Sequence, residues 1–403
     1  MDFLVLDTIH GGLEIGHALA GSGHHADMVD VYRGGETPVL KPDYDYIVTP
    51  VHLKSDHPLL ERFSHVPKMS HHEAVRWILG TRVPEQMVEI TGARGKTTTA
   101  FAVAHILPGR GVLHTSGGTF LYPEKDLIFR RSITPASLLP AVDAAISAGG
   151  WLVAEVSLGF TGAGHLAVLT SEEDYRCAGG TRSALDIKLQ SASLVQRLLL
   201  PMGTKNHSNN GIVASDIARV RGELCTYQYG EISGSFCNPL LSLDGYRNPL
   251  ASATAAGCIL GVDPAGMGSF AAITGRMELS TESGRYLIDN SNSGSTRQTT
   301  IDAARYARQV TGSDEIVLVI GQEAHAVCEG FQVTEILATV ETLRPSWLVL
   351  VGREYRKEYM ASSLTGLLQE ERVLFRDTLA EGRSAALSTP GSAGIVLAVK
   401  TWR

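Results

Sequence analysis

The sequence predicts an α/β protein made of three consecutive segments, and three observations carry this prediction. Short apolar runs alternate with helix-like stretches along most of the 403 residues. A glycine-rich turn joins one apolar run to a helix-like stretch near residue 92, and a new series of strand-like runs begins after residue 273. Such alternation is typical of parallel sheets covered by helices. We therefore expect separate α/β domains at residues 1–80, 81–273 and 274–403.

The first segment has the βαβ pattern of a Rossmann-like domain. Apolar runs predict three strands and one helix around a turn at Gly11 and Gly12: strands at 3–6, 28–31 and 46–48, and a helix at 13–19. The glycines do not complete a G-x-G-x-x-G fingerprint. A tight strand-to-helix turn is thus favoured over a dinucleotide site.

The other two segments repeat the alternation of strands and helices on a larger scale. The second segment has strand-like runs at 87–90, 151–154, 167–170 and 212–214. The third has them at 286–288, 316–320, 347–351 and 394–399. We expect a larger α/β domain followed by a second Rossmann-like domain.

Charge and hydropathy exclude several classes of partner. The net charge is −7 and no long basic run occurs, which argues against nucleic acid as the main partner. No run of 18 or more apolar residues predicts a membrane span, so we expect no membrane partner. The opening residues lack the basic region of a signal peptide.

The cysteines indicate a reducing compartment. Five occur, none in a C-x-x-C pair, so neither a structural zinc site nor a disulfide framework is expected: Cys177, Cys225, Cys237, Cys258 and Cys328. Free thiols are typical of a cytoplasmic protein.

Histidines concentrate at the start of the chain. Nine of the fourteen fall within the first 72 residues: His10, His17, His24, His25, His52, His57, His65, His71 and His72. None has the H-E-x-x-H zinc spacing. Ordinary surface or turn histidines are the simpler interpretation for any one position. The clustering leaves open a set of donors for a polar, multiply anionic ligand.

Residues 87–99, MVEITGARGKTTT, give the sharpest functional signal. An apolar strand leads into a glycine-rich turn, and an apolar helix follows from 98 to 107. Glycines let backbone N–H groups converge on phosphate oxygens, and the helix N-terminus adds positive potential. The predicted nucleotide-binding residues are Gly92, Ala93, Arg94, Gly95, Lys96, Thr97 and Thr98. A full Walker A motif has a glycine where this chain has Ile90.

Three residues in or beside such a loop are candidates for phosphate and metal binding. Lys96 can reach the β- and γ-phosphates, and Thr97 can ligate Mg²⁺. Glu155 follows the apolar run 151–154, where a carboxylate suits a magnesium ligand. A solvated strand end is the more common meaning of such a glutamate in isolation.

The segment Gly275-Arg276-Met277-Glu278 stands where the third segment begins. An arginine at a domain junction can close onto a phosphate. In isolation, a surface charge pair is the default interpretation of these four residues.

Taken in order, these motifs resemble the Mur ligases and the folylpolyglutamate synthetases. The shared pattern is T-G-x-x-G-K-T-T at 91–98, a glutamate after a strand at Glu155, the G-R-M-E segment, and an aspartate ending a strand at Asp289. The resemblance covers roughly residues 40–400. It implies a three-domain Mur-ligase-like architecture with Rossmann-like N- and C-terminal domains around a central P-loop ATPase domain.

The resemblance also implies roles for individual residues. Lys96, Glu155 and Arg276 are the implied catalytic residues, with ATP and Mg²⁺ as cofactors. Thr97 and Glu155 are the implied metal ligands, while Arg276 is expected to contact phosphate and Asp289 the ribose. Ser132-Ile133-Thr134-Pro135 looks like the Thr-Pro loop near the reacting carboxylate.

Three segments depart from the family pattern. The family's N-x-x-x-D-H stretch reads Thr170 to Tyr175 here, so Tyr175 replaces a metal-binding histidine and Glu172, Glu173 or Asp174 are candidate substitutes. Lys188 is the nearby candidate for the carbamylated lysine of many members. The adenine segment reads Gly245-Tyr-Arg-Asn248-Pro-Leu-Ala251, which keeps Asn248 and lacks the second asparagine. The family's D-Y-A-H-x-P reads Asp289-Asn-Ser-Asn292-Ser-Gly294.

The opening residues 4–12 and the compact size look most like the Mur-like ligases of methanogens that complete a nickel tetrapyrrole coenzyme. That resemblance implies a nickel seco-tetrapyrrole substrate, a propionate activated as an acyl phosphate, and closure of a carbocyclic ring without an amine acceptor. Two other functions stay open: a Mur-type amide ligase that adds an amino acid to a cell-wall or polyglutamate precursor, and a nucleotide-dependent switch. An NAD enzyme lacks the glycine fingerprint.

Overall fold

Three sheets, each mostly parallel, organise the chain, and the predicted α/β class is confirmed. The computed structural model describes residues 1–33, 39–205, 210–323, 331–361 and 368–401; Cys328 lies outside them. The chain forms two units, Met1–Leu241 with Tyr246–Phe270, and Ser242–Gly245 with Ala271–Arg403. The first unit contains two of the sheets and the second contains the third. The three-domain boundaries at 80 and 273 stay predictions.

The first sheet has four parallel strands in the order β2-β1-β3-β4. Its elements are β1 (Asp2–Leu6), α1 (Gly12–Gly21), β2 (His25–Val29), β3 (Tyr46–Thr49), α2 (Pro58–Arg62), β4 (Lys68–Ser70) and α3 (His71–Leu79). The strand expected at 28–31 begins earlier, at His25. The polar residues at its start pair with β1, where His25 aligns with Asp2. Pairing with the buried strand β1 thus places these residues in a strand despite their polar composition.

Strand β1 is buried on both faces, which explains its continuous apolar run. Leu4 and Leu6 face a core made by the first sheet and its helices. Phe3 and Val5 face a core that also contains Val112 and Leu152 of the middle part of the chain. The first sheet is therefore packed directly against the second within one unit.

The middle part of the chain forms an eight-stranded sheet in the order β14-β13-β10-β5-β9-β6-β7-β8, with β7 and β8 antiparallel. The elements are β5 (Met87–Thr91), α4 (Lys96–Ile106), β6 (Gly111–Thr115), β7 (Gly118–Tyr122), β8 (Asp126–Phe129), α5 (Leu138–Ala148), β9 (Trp151–Glu155), β10 (Leu166–Leu169), β11 (Arg176–Cys177), β12 (Arg182–Ser183), α6 (Ala184–Ser191), β13 (Leu198–Leu200), β14 (Gly211–Val213), α7 (Ala214–Ile217), β15 (Ala218–Arg221), β16 (Leu224–Tyr229), β17 (Ile232–Cys237) and α8 (Asp244–Ile259). Strands β11 and β12 form a small hairpin, and β15 to β17 form an antiparallel meander.

The second unit is built on a six-stranded sheet in the order β18-β19-β23-β20-β21-β22. Its elements are β18 (Glu278–Glu282), β19 (Arg285–Asp289), α9 (Arg297–Thr311), β20 (Ile316–Gln322), α10 (Val333–Leu343), β21 (Trp347–Val351), α11 (Glu354–Met360), β22 (Val373–Arg376), α12 (Leu379–Leu387) and β23 (Gly394–Lys400). The central strands β20 and β23 are almost entirely buried. Among the helices in the described part of the chain, none is long and apolar enough to cross a membrane.

Candidate active site

The loop between β5 and α4 has a backbone that only glycine tolerates at two points. Gly92 has φ 151° and Gly95 has φ 83°. A Cβ atom on Gly92 would lie 2.1 Å from Oγ1 of Thr170. The glycines of the predicted phosphate loop are thus required by both conformation and space.

Residues 170–175, which depart from the family pattern, hold this loop in place through hydrogen bonds and an ion pair. The N–H groups of Ala93 and Arg94 donate to Oγ of Ser171 at 3.0 and 3.2 Å. Oγ1 of Thr170 lies 2.5 Å from the carbonyl oxygen of Arg94. The side chain of Arg94 forms an exposed ion pair with Glu173. The loop is therefore fixed by the residues that follow β10.

The cationic and hydroxyl residues of the loop stand at the start of α4. The helix begins at Lys96, two residues before the predicted start, and its first turn carries no acidic side chain. Nζ of Lys96 donates to the carbonyl oxygen of Gly92 at 3.0 Å. Thr97 and Thr98 are both buried. An N-terminus without acidic side chains suits an anion, so phosphate binding here stays a prediction.

Glu155 lies beside the phosphate loop, as its position in the sequence suggested. It ends β9, is aligned with Ile90 of β5, and has only 1% of its surface exposed. Oγ1 of Thr91 donates to the carbonyl oxygen of Val156 at 2.7 Å, which holds the ends of the two strands together. A buried carboxylate at this sheet edge suits a divalent cation.

Asn248 lies in the first turn of α8 and is exposed. Its neighbour Pro249 packs against the phosphate loop, since a Cβ atom on Gly95 would lie 3.3 Å from Cγ of Pro249. The structure therefore brings the segment that matches the family's adenine motif to the same loop.

The residues after Ser171 do not all serve as substitutes for the missing histidine. Glu173 pairs with Arg94, and Oδ1 of Asp174 accepts from Ser183 and from the N–H of Leu185. These hydrogen bonds, led by the one from Leu185, lower the pKa of Asp174. Glu173 and Asp174 thus have structural partners of their own.

Lys188 lies in a site that disfavours its charge. It is 1% exposed, and its Nζ has no hydrogen-bond partner among the residues that the structure describes. Nζ lies 4.7 Å from the ring centre of Tyr175. Burial, followed by the charge of Lys96, lowers the pKa of Lys188 to about 8. A larger fraction of Lys188 is therefore neutral and nucleophilic at a given pH than of a surface lysine. Part of the pKa shift comes from the charge of Lys96 in the phosphate loop.

Within the second unit, Arg276 and Asp289, which are predicted to bind the nucleotide, lie in one region. Asp289 ends β19, is buried, and accepts from the N–H of Ser291 at 2.9 Å. Nδ2 of Asn292 donates to the carbonyl oxygen of Gly275 at 2.8 Å. The loop after Asp289 is thereby attached to the turn that carries Arg276, whose side chain is half-buried.

The Thr-Pro loop connects the two sheets of the first unit. A Cβ atom on Gly11 would lie 3.0 Å from Oγ1 of Thr134, so the turn after β1 packs against this loop. The N–H of Ser157 donates to the carbonyl oxygen of Ile133 at 2.8 Å. The loop thus lies between the first sheet and the end of β9, where Glu155 stands.

The early histidines do not form one set. His10 follows the carboxyl end of β1, while His25 pairs with Asp2 at the opposite end of that strand. His24 contacts the rings of Phe3 and Trp77. His10 and His25 therefore lie at opposite ends of β1.

Sequence reasoning missed the role of two consecutive histidines at the start of α3. Nε2 of His72 lies 2.9 Å from the carbonyl oxygen of Ser157, and Nε2 of His71 lies 3.2 Å from that of Leu6. Burial lowers the pKa of each to about 4, so both imidazoles are neutral at pH 7. The sequence feature that could have identified these histidines is a pair of polar residues at the start of an amphipathic helix pattern.

Comparison with known proteins gives this geometry a family. Residues 279–401 match the family model described as coenzyme F430 synthetase CfbE, C-terminal domain. The coenzyme F(430) synthetase of Methanosarcina acetivorans is 31% identical over 99% of this chain and 98% of its own length. The protein of the same name from Methanocaldococcus jannaschii is 23% identical over 93% of this chain and 97% of its own length.

Solved structures share the fold at low identity. The MurF ligase of Thermotoga maritima in complex with ADP has a TM-score of 0.51 at 13% identity and covers 89% of this chain and 86% of that one. The folylpolyglutamate synthase/dihydrofolate synthase of Yersinia pestis, complexed with AMPPNP and Mn ion, has a TM-score of 0.55 at 14% identity and covers 82% and 90%. The predicted Mur-ligase-like architecture is confirmed. The chain belongs to the coenzyme F430 synthetase family and is an ATP-dependent ligase with the Mur-ligase fold.

Proposed function

We propose that this ligase uses ATP to activate a propionate side chain of a nickel seco-tetrapyrrole and closes a carbocyclic ring to give coenzyme F430. The observation that carries the proposal is the 31% identity to a coenzyme F(430) synthetase along essentially the whole chain. The phosphate loop beside the buried Glu155 supports the ATP-dependent step.

Activation is needed because a carboxylate is a poor electrophile with a poor leaving group. Transfer of the γ-phosphoryl group of ATP to a carboxylate oxygen gives an acyl phosphate and ADP. A carbon nucleophile of the same tetrapyrrole then attacks the carbonyl carbon and loses its proton, and phosphate leaves. The sum is loss of one water from the substrate, with ATP converted to ADP and phosphate. The protein contributes mainly positioning and charge neutralisation.

The phosphate loop supplies the groups for the first step. The N–H groups at the start of α4 and the ammonium of Lys96 would offset charge on the transferring phosphoryl group. The first turn of α4 lacks acidic residues that would oppose this. The carbonyl of Gly92, which now accepts from Lys96, is a partner that the lysine would exchange for phosphate oxygens.

The residues beside the loop fit a divalent cation. A magnesium ion is usually held by one or two protein oxygens together with phosphates and waters. Thr97 and the buried Glu155 offer such oxygens, and the fold relative complexed with AMPPNP and Mn ion supports a divalent ion. Magnesium would supply charge neutralisation at the phosphates. Thr97 and Glu155 would hold it.

Lys188 is proposed as the counterpart of the family's carbamylated lysine. Carbamylation needs a neutral amine, and a pKa of about 8 leaves a larger neutral fraction at pH 7 than a surface lysine has. A carbamate at this position would replace the buried ammonium with an anion near Lys96. Its role would then be to position the cation of the nucleotide site.

Arg276 and Asp289, which both belong to the second unit, are proposed as nucleotide-binding residues. Arg276 would contact phosphate and Asp289 would contact the ribose, in keeping with the family motifs that they match. A guanidinium suits a phosphate because it offers several N–H donors in a fixed plane. Arg276→Ala is expected to lower turnover more than it lowers binding of ATP.

The first sheet is proposed to bind the tetrapyrrole. Its strands end at a crevice within the unit that carries the phosphate loop, and the Thr-Pro loop touches it at Gly11. A cavity of about 420 Å³ lies along this crevice, with Pro50, His72, Leu158 and Gln190 among its walls. A large substrate could therefore lie against the first sheet and extend a carboxylate toward Glu155 and Lys96.

The experiment is product mass after incubation of the protein with MgATP and the nickel seco-tetrapyrrole, in the absence of any amino acid. We expect the tetrapyrrole to lose one water while an equal amount of ADP appears. An unchanged tetrapyrrole, with ADP released only when an amino acid and another acid are supplied, would assign the protein to amide formation instead.

A further inference from the structure

The carboxyl ends of three neighbouring strands in the first sheet bring together side chains that phosphoryl transfer does not use. Asp7 and His10 follow β1, Tyr32 follows β2, and His52 follows β3. The strand order β2-β1-β3 makes all three strands adjacent. From β1 the chain winds to one side to form β2 and then to the other to form β3. The crevice at such a switch point is where open α/β sheets bind ligands.

Three potential ligand atoms converge at this switch point. One ligand atom from each of Asp7, His10 and His52 lies within 4.8 Å of the other two. Nδ1 of His10 lies 3.1 Å from Oδ2 of Asp7. An ion held at about 2.0–2.2 Å from each ligand atom requires those atoms to be roughly 3–4 Å apart. Small side-chain rotations are enough to reach that spacing.

One side of the cluster is buried and held by hydrogen bonds, and the other side is exposed to solvent. The carboxylate of Asp7 is fully buried and accepts from the N–H groups of Ile9 and His10. The ring of Tyr32 lies 5.0 Å from that of His10 and 5.8 Å from that of His52. The side chain of His10 is 42% exposed, so an ion or a larger ligand can approach from solvent.

We propose that Asp7, His10 and His52 bind a divalent transition-metal ion. Two imidazoles and one carboxylate favour ions such as Ni²⁺ and Zn²⁺ over Mg²⁺, which prefers oxygen ligands. Three protein ligands leave coordination positions for a further ligand. The site is distinct from Thr97 in α4 and from Glu155 at the end of β9.

Two forms of metal ion fit this site. One is an aquated ion, which all three side chains can bind together. The other is nickel already held by four nitrogens of a tetrapyrrole, to which one imidazole would bind axially while Asp7 orients it. The second form rests on the proposed function, and the first does not.

The first arm of the test is calorimetric titration of the full-length protein with Ni²⁺ and with Zn²⁺, in excess MgADP to occupy the nucleotide site. We expect one equivalent to bind, and His10→Ala and His52→Ala each to weaken binding by at least about tenfold. His65→Ala is the matched control. His65 contacts Asp43 at the same 3.1 Å, and no third ligand atom joins that pair among the described residues.

The second arm follows the absorption spectrum of the nickel tetrapyrrole on addition of protein. An axial imidazole changes the nickel spectrum, and we expect that change to vanish in the double variant His10→Ala/His52→Ala. His10→Gln and His52→Gln, with thermal unfolding as a readout, separate loss of a ligand from loss of the fold. A change that persists in every variant assigns the tetrapyrrole to other residues.

The outcomes separate the two proposals. Equal binding of Ni²⁺ and Zn²⁺ by wild type and variants, together with an unaltered nickel spectrum, overturns the metal site even if the tetrapyrrole is converted. Ion binding that requires His10 and His52, without conversion of the tetrapyrrole, supports the metal site and rejects the proposed function.

Discussion

The imidazole of His72 joins the first sheet to the second, because its Nε2 lies 2.9 Å from the carbonyl oxygen of Ser157. A carbonyl only accepts, so Nε2 carries a proton, and burial lowers the pKa of His72 to about 4, which leaves the imidazole neutral at pH 7. His71 makes the corresponding contact to Leu6 at the end of β1. The start of α3 thus ties the crevice of the first sheet to the strand that carries Glu155.

The first prediction follows from the burial of His72. Its pKa is lowered from 6.5 to about 4 in the folded chain. Between these values the unfolded chain binds a proton that the folded chain does not, so stability falls as the pH drops through this range. We expect His72→Gln to remove part of the fall, on the order of 1–3 kcal/mol.

Urea unfolding at pH 7 and at pH 4.5 measures this difference. His65→Gln is the control, since its imidazole is exposed. His71 remains in every variant, and its pKa is lowered chiefly by its own burial. The same loss of stability in wild type and His72→Gln would show that His72 is not the titrating group.

The second prediction concerns Lys96. Removal of its ammonium takes away charge stabilisation that a low-dielectric site makes strong, so Lys96→Ala should lower turnover by about 10²–10³-fold. Lys125→Ala, at an exposed turn, should retain activity. Steady-state ADP release measures both. Near-full turnover in Lys96→Ala would remove Lys96 from the mechanism.

The third prediction concerns the shape of the phosphate loop. A Cβ atom on Gly92 would collide with Thr170 and would require an L residue at φ 151°. Strain of about 1–3 kcal/mol at such positions corresponds to roughly a 5- to 150-fold change in affinity. Gly92→Ala should therefore weaken MgATP binding within that range. Gly21→Ala, which meets no atom within 4 Å, should bind MgATP normally.

The fourth prediction separates function from stability at Lys188. Its pKa of about 8, against 10.5 in the unfolded chain, means that the unfolded chain binds more protons between these values. The contribution of Lys188 to stability should then rise as the pH increases from 8 to 10.5. In a chain that is not carbamylated, Lys188→Met should abolish this contribution and increase stability at pH 7, where the ammonium is otherwise buried.

Turnover of Lys188→Met should fall at least about tenfold, because the proposed role in positioning the cation is lost. Thermal unfolding and ADP release on the same preparation test both effects. A variant that is more stable and fully active would show that Lys188 has no part in catalysis.

Local patterns predicted the phosphate loop, and the structure explains why. Gly92, Gly95 and Lys96 stand in one strand-turn-helix unit whose geometry is set by neighbouring residues. The position of Glu155 was also predictable from the sequence, because a residue that ends a parallel strand lies at the same sheet edge as the loop. The start of α4 was misplaced by two residues, because the glycine at its N-terminus has no side chain to mark a cap.

Relationships between distant residues could not be read from the sequence. His72 and Ser157 are 85 positions apart, and their contact depends on how two sheets pack. The convergence of His10 with His52 depends on the strand order β2-β1-β3, which periodicity does not specify. The antiparallel strands β7 and β8 and the meander β15 to β17 also escaped prediction, because their apolar runs are short and contain polar residues or glycine.

The most direct test of the central claim uses a tetrapyrrole substrate with ¹⁸O in the reacting propionate. Activation as an acyl phosphate moves one carboxylate oxygen to phosphorus, because the bond that breaks on ring closure is the one between the carbonyl carbon and that oxygen. Mass spectrometry of the released phosphate should then show one ¹⁸O for each ring closed. Ring closure with unlabelled phosphate would contradict carboxylate activation by ATP.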